Sequence, residues 1–511
     1  MLAGQIWKAL FYRRLKGQPE PLFLFSEQVV SAAALWMGVR LWMQRWQKGD
    51  PIVLCATGEG PEYLEVFIAT LVREGSFIAA HPEKGSEYLS GEINRWQPDY
   101  IVLNRRDALE IPGYRICSEV NEHRNAILLT RIHDYNDLAN GHPLRKMAST
   151  ERRVILSTSG TTNGAGRWAL LSDQNIFSVL RSHVPRMNIR GATVQSVLPW
   201  NHAFGLILDL LPALLTARMV IRDSGQGALA LHKGFAIDYV SAVPALFTRW
   251  LQDDGWTSAL AQYRGGILGG APVSEALADE LRGSRFRIGY GQTEASPGIT
   301  LGKAGEFEAN FLGSPLGCEV AILEGTLHYR GDNVCEATVT LEKESSGTGS
   351  ERAQLEDALH LLEDSIRYRN KVEWQDTGDV VEPVNAGFRY LGRADHNFKL
   401  SNGRFLDAVR WEHSMERSLG LPCFILPQDG GIRILFVIGP ELSNFAASSW
   451  REKVAQHARL QLGSLEGYVR STEFIQKDDL PVNGKGVVIR SELASGRSLL
   501  RDDYVGVRNV S

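Results

Sequence analysis

Short apolar runs set between helical patterns constrain this chain more than any other feature. From Ser26 to Gln47 the apolar spacing suits an amphipathic helix, and the Gly49-Asp50-Pro51 turn then introduces the buried run IVLC. GPEYLEVFIATLVREG reads as the next helix and SFIAAHP as the next strand. The same rhythm returns at VQSVLPW, ARMVIRD and DYVSAVP, each a strand candidate beside a helical or turn segment. This alternation predicts an α/β fold of layered subdomains.

Near Ser345 the texture changes. SSGTGS reads as a loop, and in AQLEDALHLLEDSI the residues Leu355, Leu359, Leu362 and Ile366 share one helical face, which predicts an inserted loop and short helix. After about Gly392 a smaller α+β unit begins, with strands FKLS and IRILFVI and a helix near SSWREKVAQHARLQL. A chain of 511 residues is too long for one compact core, so several folded units are expected.

The formal net charge of -4, with 22% charged residues, offers no electrostatic footprint for nucleic acid. Five cysteines are scattered without CxxC or CxH spacing, which predicts reduced thiols rather than a disulfide framework or a zinc site. MLAGQIWKALFYRRLKG lacks the apolar core and cleavage site of a signal peptide. SAAALWMGVRLWM is interrupted by Arg40 and too short to span a bilayer, so no membrane span and a cytoplasmic location are expected.

Chemistry enters with STSGTTNGAGR, Ser157 to Arg167, which follows the strand-like RVIL. Its glycines and hydroxyls can bring backbone N–H groups close to phosphate oxygens, although a flexible surface turn fits the segment equally well on its own. It is not a Walker loop, because no GK[ST] follows at the required spacing. In order along the chain come LPWNHAFGL, VPALF, GGAPVS, GYGQTEAS, DTGDVVE, GRADHNFKLSNGR and LPVNGKGVVIR. This series resembles the acyl-adenylate-forming superfamily of acyl-CoA and aryl-CoA ligases, luciferases and nonribosomal adenylation domains, from KGDPIVLC to the C-terminal motif.

The resemblance implies ATP-dependent activation of a carboxylic acid to an acyl-AMP, with pyrophosphate released and the acyl group then passed to a thiol. It implies an N-terminal domain over 1–392, a hinge at 393–396 that includes Asp395, and a mobile C-terminal domain over 397–511. Thr158, Ser159, Gly160, Thr161 and Thr162 match the loop that holds the β and γ phosphates. Gly269, Gly270, Ala271 and Pro272, with Tyr290 and Gly291, match the segments around adenine. Thr293 matches an α-phosphate contact and Glu294 the Mg²⁺ carboxylate, a hard oxygen ligand for a hard cation. Asp379 matches the acid that accepts the ribose hydroxyls, and Arg393 a ribose or phosphate contact. Lys399 and Arg404 match the motif brought to the site for the second half-reaction. Read singly, Tyr290 suits a core aromatic, Glu294 a helix cap and Asp379 a turn; the ordered series favours the functional reading. His202 reads either as a residue near the acyl pocket or as a packed or capping histidine.

Two basic positions depart from the family pattern. The first motif has no lysine after its glycines, and Arg167 is the candidate cation there, with a planar fork rather than an ammonium. In LPVNGKGVVIR, Gly486 and Arg490 fall in register and Val487 occupies the place of the lysine that bridges the substrate carboxylate and the α-phosphate. One well-placed donor at such a site is worth about 3–4 kcal/mol of transition state. Lys485 lies two residues upstream; on an extended segment the two positions share a face with alpha carbons about 6.6 Å apart, so Lys485 is the candidate substitute.

LPWNHAFGL lacks the aspartate with which amino-acid-activating domains hold an ammonium, so a fatty or aromatic acid is expected. Coenzyme A and carrier-protein phosphopantetheine offer the same thiol and both remain acceptors. The rival reading is a degenerate homologue that binds nucleotide, acyl-adenylate or carrier protein without activating acids, or one that performs only the second half-reaction or transfer to an amine. Nothing in the series specifies an oligomeric state.

Overall fold

The computed structural model describes residues 3–16, 22–25, 28–47, 49–104, 111, 113–117, 126–132, 141–158, 166–223, 235–252, 260–341, 362–384, 387–396, 398–401, 405–406, 408–439, 448–482 and 488–495. Two compact units divide the chain: Met1–Gly270 with Ser274–Val320 and Tyr329–Gln375, and Ala271–Val273 with Ala321–His328 and Asp376–Ser511.

The first unit is built on a nine-stranded sheet. Four parallel strands, Val154–Ser157, Ser76–Ala79, Ile52–Ala56 and Tyr100–Asn104, lie side by side at its centre. Antiparallel strands flank them: Gly166–Leu171, Ala337–Leu341 and Ile366–Tyr368 on one side, Ala126–Arg131 and Tyr114–Ile116 on the other. Ile52–Ala56 is buried at all five positions, as an unbroken apolar run in a covered parallel sheet should be. Helix Pro61–Val72, with proline in its first turn, is buried from Tyr63 to Val72. Its Glu65 carboxylate is satisfied by Trp42 Nε1 at 3.0 Å, and a Cβ at Gly38 would fall 1.8 Å from Glu65 Oε1, so a larger residue there would have to displace this buried carboxylate.

A second, five-stranded sheet runs Tyr239–Ser241, Thr193–Ser196, Met219–Arg222, Leu22–Phe25 and Gln28–Ser31, parallel except for the last strand. The three strands expected from VQSVLPW, ARMVIRD and DYVSAVP are all here. The first helix is shorter than the apolar spacing predicts. It starts at Ala32, because Ser31 accepts the Ala34 N–H at 3.1 Å as its N-cap and Gln28–Ser31 pairs as a strand. Farther on, Ile366 opens a strand paired with Ala337–Val339 and does not share a helical face with Leu362, although both are buried in one core. Leu355 and Leu359 lie outside the described residues.

The second unit holds an antiparallel pair, Gln375–Val384 with Gly387–Arg393, whose register shifts between Val380 and Val381. Beyond it, strands Cys423–Gln428, Gly431–Ile438 and Val469–Gln476 form a sheet with helices Ala408–Leu419 and Ser448–Leu462. Met415, Ile425, Ile434, Phe436, Ala458 and Leu462 share one core. Asp429 and Gly430, at φ of 47° and 68°, make the two-residue turn between the first two strands, a backbone that a hairpin requires and glycine permits. Phe398–Lys399, a two-residue strand, pairs with Phe405–Leu406. Among the described residues no helix is long and apolar enough to cross a membrane.

Candidate active site

Thr158 and Arg167 form the neck of the glycine-rich segment. Strand Val154–Ser157 delivers one side and Gly166–Leu171 the other, and the Thr158 N–H donates to the Arg167 carbonyl at 2.8 Å. Ser159 to Thr162 lie outside the described residues. The Thr158 hydroxyl oxygen is buried with no hydrogen-bond partner among the described residues. An orphaned hydroxyl beside such a neck suits a ligand oxygen, since a buried polar group without a partner is costly.

Arg167 reaches Glu294, with Nη1 3.9 Å from Oε1. Glu294 sits on a single 3-10 turn, Thr293–Ala295, which ends at Ser296 with φ of 61°. The turn is pinned on both sides: the Cys335 N–H donates to the Glu294 carbonyl at 2.8 Å, and Ser296 Oγ donates to the Asn333 carbonyl at 2.8 Å. Tyr290 ends strand Phe286–Tyr290 half-buried, against a small cluster of Ala295, Ile299, Tyr329 and Val334. Gly291 follows where a Cβ would fall 1.4 Å from the Pro297 carbonyl oxygen, so the GYGQTE backbone can take this path only with glycine. A Cβ at Gly269 would lie 2.7 Å from the Gly289 carbonyl oxygen, and Gly270 turns with φ of 84°. Thr158, Arg167, Gly269, Gly270, Tyr290, Gly291, Thr293 and Glu294 thus belong to the first unit, and Ala271 and Pro272 to the second.

The LPWNHAFGL segment is braced from below. Arg222, paired with Glu59, donates to the Ser196 and Leu198 carbonyls at 2.7 and 3.1 Å, and Tyr63 donates to the Trp200 carbonyl at 2.8 Å. The chain then enters a π-helical stretch, Phe204–Leu210, that continues as helix Leu211–Thr216. Burial pushes the Asp209 carboxyl up to about 7, although the Ser196 hydroxyl donates to it at 2.6 Å. His202 packs against a second histidine, His81, with ring centroids 4.9 Å apart.

In the second unit, Asp379 and Arg393 face each other across the bulged strand pair, Arg393 Nη1 donating to Asp379 Oδ1 at 3.0 Å and to the Thr377 carbonyl at 2.8 Å. Arg393 Nε also donates to Asp395 at 3.3 Å. Burial disfavours the Arg393 charge, but the two carboxylates outweigh it and hold the guanidinium firmly protonated. Gly378, at φ of 71°, leaves the room Arg393 fills; a Cβ there would lie 2.7 Å from its Nη2. Lys399 is on its short strand, while Arg404, Lys485 and Val487 lie outside the described residues. Val482 and Val488 bridge on either side of the last two. Arg490 is tied within its own unit, in a two-pronged pair with Glu412 at 2.9 and 2.5 Å and on the Ile425 carbonyl at 2.9 Å.

Sequence reasoning passed over His81, which stands one residue before the Pro82–Lys84 turn and is 1% exposed. Its Nε2 is 2.8 Å from Ser157 Oγ and its Nδ1 is 2.8 Å from Glu83 Oε1. Burial works against the Glu83 carboxylate, but the hydrogen bond and charge of His81, a backbone N–H and Asn201 together hold its pKa at about 2.

The AMP-binding enzyme family matches residues 33–335. Human long-chain-fatty-acid–CoA ligase 1 is 24% identical over 444 residues, covering 73% of this chain and 59% of that protein, so the chain spans about three fifths of that relative. ATP-bound MatB from Rhodopseudomonas palustris has a TM-score of 0.69 at 18% identity, over 97% of this chain and 99% of that one. O-succinylbenzoate coenzyme A synthetase (MenE) from Bacillus subtilis, in complex with ATP and magnesium ion, has a TM-score of 0.64 at 17% identity, over 95% and 98%. Those two likenesses concern the fold. The family match takes in the Thr158 neck, the His202 segment and the Glu294 turn, and the chain belongs to the AMP-binding enzyme family.

Proposed function

We propose that this chain is an AMP-forming acid–thiol ligase that activates a fatty or aromatic carboxylic acid with ATP. The observation that carries this reading is the approach of Arg167 to Glu294 beside the Thr158 neck: a cation suited to phosphate oxygens, a carboxylate suited to a hard metal ion, and a buried hydroxyl without a partner. A carboxylate oxygen of the acid attacks the α-phosphorus, the bond to pyrophosphate breaks, and acyl-AMP forms. The thiolate sulfur of coenzyme A or of a phosphopantetheine arm then attacks the acyl carbon, and AMP leaves.

Arg167 draws the phosphate chain to the neck, and Thr158 and Thr293 donate hydroxyls to phosphate oxygens. Tyr290 offers adenine a stacking face, and Asp379, oriented by Arg393, accepts from the ribose hydroxyls. Glu294 fits Mg²⁺, because a single carboxylate leaves the remaining coordination to phosphate oxygens and water, as this ion prefers; the ion supplies neutralisation of the phosphate charge. Lys485 supplies the cation between the acid and the α-phosphate, Asp395 is the pivot, and Lys399 and Arg404 serve the thiol step. His202 lines the acyl pocket. A segment without a carboxylate for an ammonium, and a relative named for long-chain fatty acids, support a plain acid as substrate.

The test is pyrophosphate exchange into ATP with pooled fatty, benzoic and cinnamic acids. Acid-dependent exchange that disappears in Lys485→Ala, with ATP binding retained, supports the reading. Absence of exchange in a protein that still binds ATP overturns it in favour of a nucleotide-binding homologue, the alternative favoured by the absence of lysine at Arg167 and Val487.

A further inference from the structure

Two neighbouring parallel strands of the nine-stranded sheet, Ser76–Ala79 and Val154–Ser157, pair with Ala79 opposite Leu156. Their carboxyl ends therefore emerge together, where open α/β sheets place their chemistry. Ser157 closes one strand, and His81 follows two residues after the other. Ser157 Oγ is 2.8 Å from His81 Nε2, and Glu83 Oε1 is 2.8 Å from His81 Nδ1. We propose that Ser157, His81 and Glu83 form a nucleophilic triad that hydrolyses activated carboxylic esters, a second activity beside acid activation.

The hydrogen-bond pattern assigns the roles. A carboxylate can only accept, so the Nδ1 proton of His81 is held by Glu83, and Nε2 is left as the acceptor for the serine hydroxyl. That is the tautomer a general base needs, and both distances suit a nucleophile–base–orienter chain. Asn201 lies against the same nitrogen: its Nδ2 is 2.9 Å from Nδ1 and 3.4 Å from Glu83 Oε1. Its Oδ1 is buried with no partner among the described residues, and turning the amide over would aim that oxygen at the Nδ1 proton. Only the turned-over amide steadies the ring in this tautomer, because an Asn201 N–H aimed at Nδ1 would need that nitrogen as its acceptor. The imidazole itself is buried, whereas Ser157 is half-buried and accessible to a reactant. His202 packs on His81 at 4.9 Å, so the triad adjoins the segment assigned to the acyl group.

The balanced reaction needs only water. Ser157 Oγ attacks the ester carbonyl carbon while its proton passes to His81 Nε2; the bond to the leaving oxygen breaks, and that oxygen departs with the electron pair and the proton that His81 Nε2 returns, leaving the imidazole neutral. Water then attacks the acyl-serine and gives a proton to His81. Collapse returns a proton from His81 to Ser157 Oγ and frees the acid. An acyl adenylate is the natural ester of this class, its leaving group being AMP, and that choice alone rests on the function proposed above.

The experiment uses the full chain without ATP. Release of p-nitrophenol from p-nitrophenyl butyrate is followed for a burst, and a fluorophosphonate adduct is located by peptide mass spectrometry. A burst near one equivalent and an adduct on Ser157, both absent from Ser157→Ala, are expected. His81→Asn should lower turnover about 100-fold. Glu83→Gln should lower kcat with KM unchanged, and Glu83→Asp should recover part of it, a pattern that a merely structural carboxylate does not give. Thermal melts of each variant verify folding, and the wild-type adduct requires no variant at all. A wild-type chain with no adduct on Ser157 overturns the triad, as does a burst that survives in folded Ser157→Ala. Pyrophosphate exchange without ester hydrolysis removes only the triad; ester hydrolysis through Ser157 without exchange removes only the ligase.

Discussion

The strand pair Val154–Ser157 and Gly166–Leu171 carries an arginine–carboxylate pair near each end, and the two are built differently. At the closed end Arg153, fully buried, donates through Nε and Nη2 to the two Asp173 oxygens, each at 2.8 Å, and through Nη1 to the Gly75 carbonyl at 2.6 Å. Trp7 Nε1 gives the carboxylate a third donor, 2.7 Å from Asp173 Oδ1. At the open end Arg167 is 44% exposed and 3.9 Å from Glu294, and the nearby Thr158 hydroxyl is buried without a partner among the described residues. The closed end spends its polar groups on the fold. At the open end, among the described residues, the Thr158 hydroxyl is left without a partner and Arg167 and Glu294 stay beyond hydrogen-bond distance, which is what the function proposed above asks of a site for phosphate oxygens and a cation.

This contrast predicts that the closed end governs stability and the open end turnover. The largest effect belongs to Arg153→Ala, which strands the Asp173 carboxylate in the interior and should cost about 3–5 kcal/mol. A urea titration with an unchanged slope would register it as a lower midpoint; a loss below about 1 kcal/mol would erase the distinction between the two ends. Next is Glu294→Gln, which keeps the side chain's shape and removes its charge. Stability should hold within about 0.5 kcal/mol, while acid-dependent pyrophosphate exchange falls about 100-fold, or about 2.7 kcal/mol, with more Mg²⁺ needed for half-maximal rate. Equal exchange at every Mg²⁺ concentration would remove Glu294 from the metal role.

How much of this was legible depended on where the information lies. Strand Ile52–Ala56 announces itself as an unbroken apolar run, because a sheet covered on both faces asks nothing polar of it. Gln28–Ser31 did not, since four residues ahead of a helix fit its period as readily as a strand's, and only pairing with Leu22–Phe25 decides. Ile366 likewise fits a helical stripe and is claimed by the edge of a sheet. The roles proposed for Glu294, Asp379 and Arg393 rest on the order of the motifs around them. The approach of Arg167 to Glu294 was not, being set by how a strand and a 3-10 turn far apart in the chain pack within one unit. His81 carries no periodic signal between Ala80 and Pro82, and its partner Ser157 is 76 residues away. The meeting of His81 with Ser157 thus lies in pairing between parallel strands, which adjacency in sequence does not report.

The smaller predictions sharpen the same contrast. Arg167→Ala should raise the KM for ATP about 10-fold, or about 1.4 kcal/mol, with little change in unfolding midpoint, because a half-exposed pair contributes about 1 kcal/mol at most. Arg167→Lys should recover part of the loss, since an ammonium restores the charge but not the fork. The smallest expected effect is at the closed end. Ser172 caps helix Asp173–His183, accepting the Asn175 N–H at 3.1 Å while Asn175 Oδ1 accepts the Ser172 N–H at 2.8 Å. Ser172→Ala removes one half of this reciprocal cap and should cost about 1 kcal/mol in urea unfolding. Because Asp173 opens that helix, the loss also tests whether the arginine pair depends on the cap. If Arg153→Ala and Ser172→Ala are additive, the two features hold the closed end separately; a double variant less destabilised than the sum makes them one unit. In either case pyrophosphate exchange per folded molecule should be unchanged in Ser172→Ala, and a fall in exchange would mean that the closed end reaches the chemistry through the strands between them.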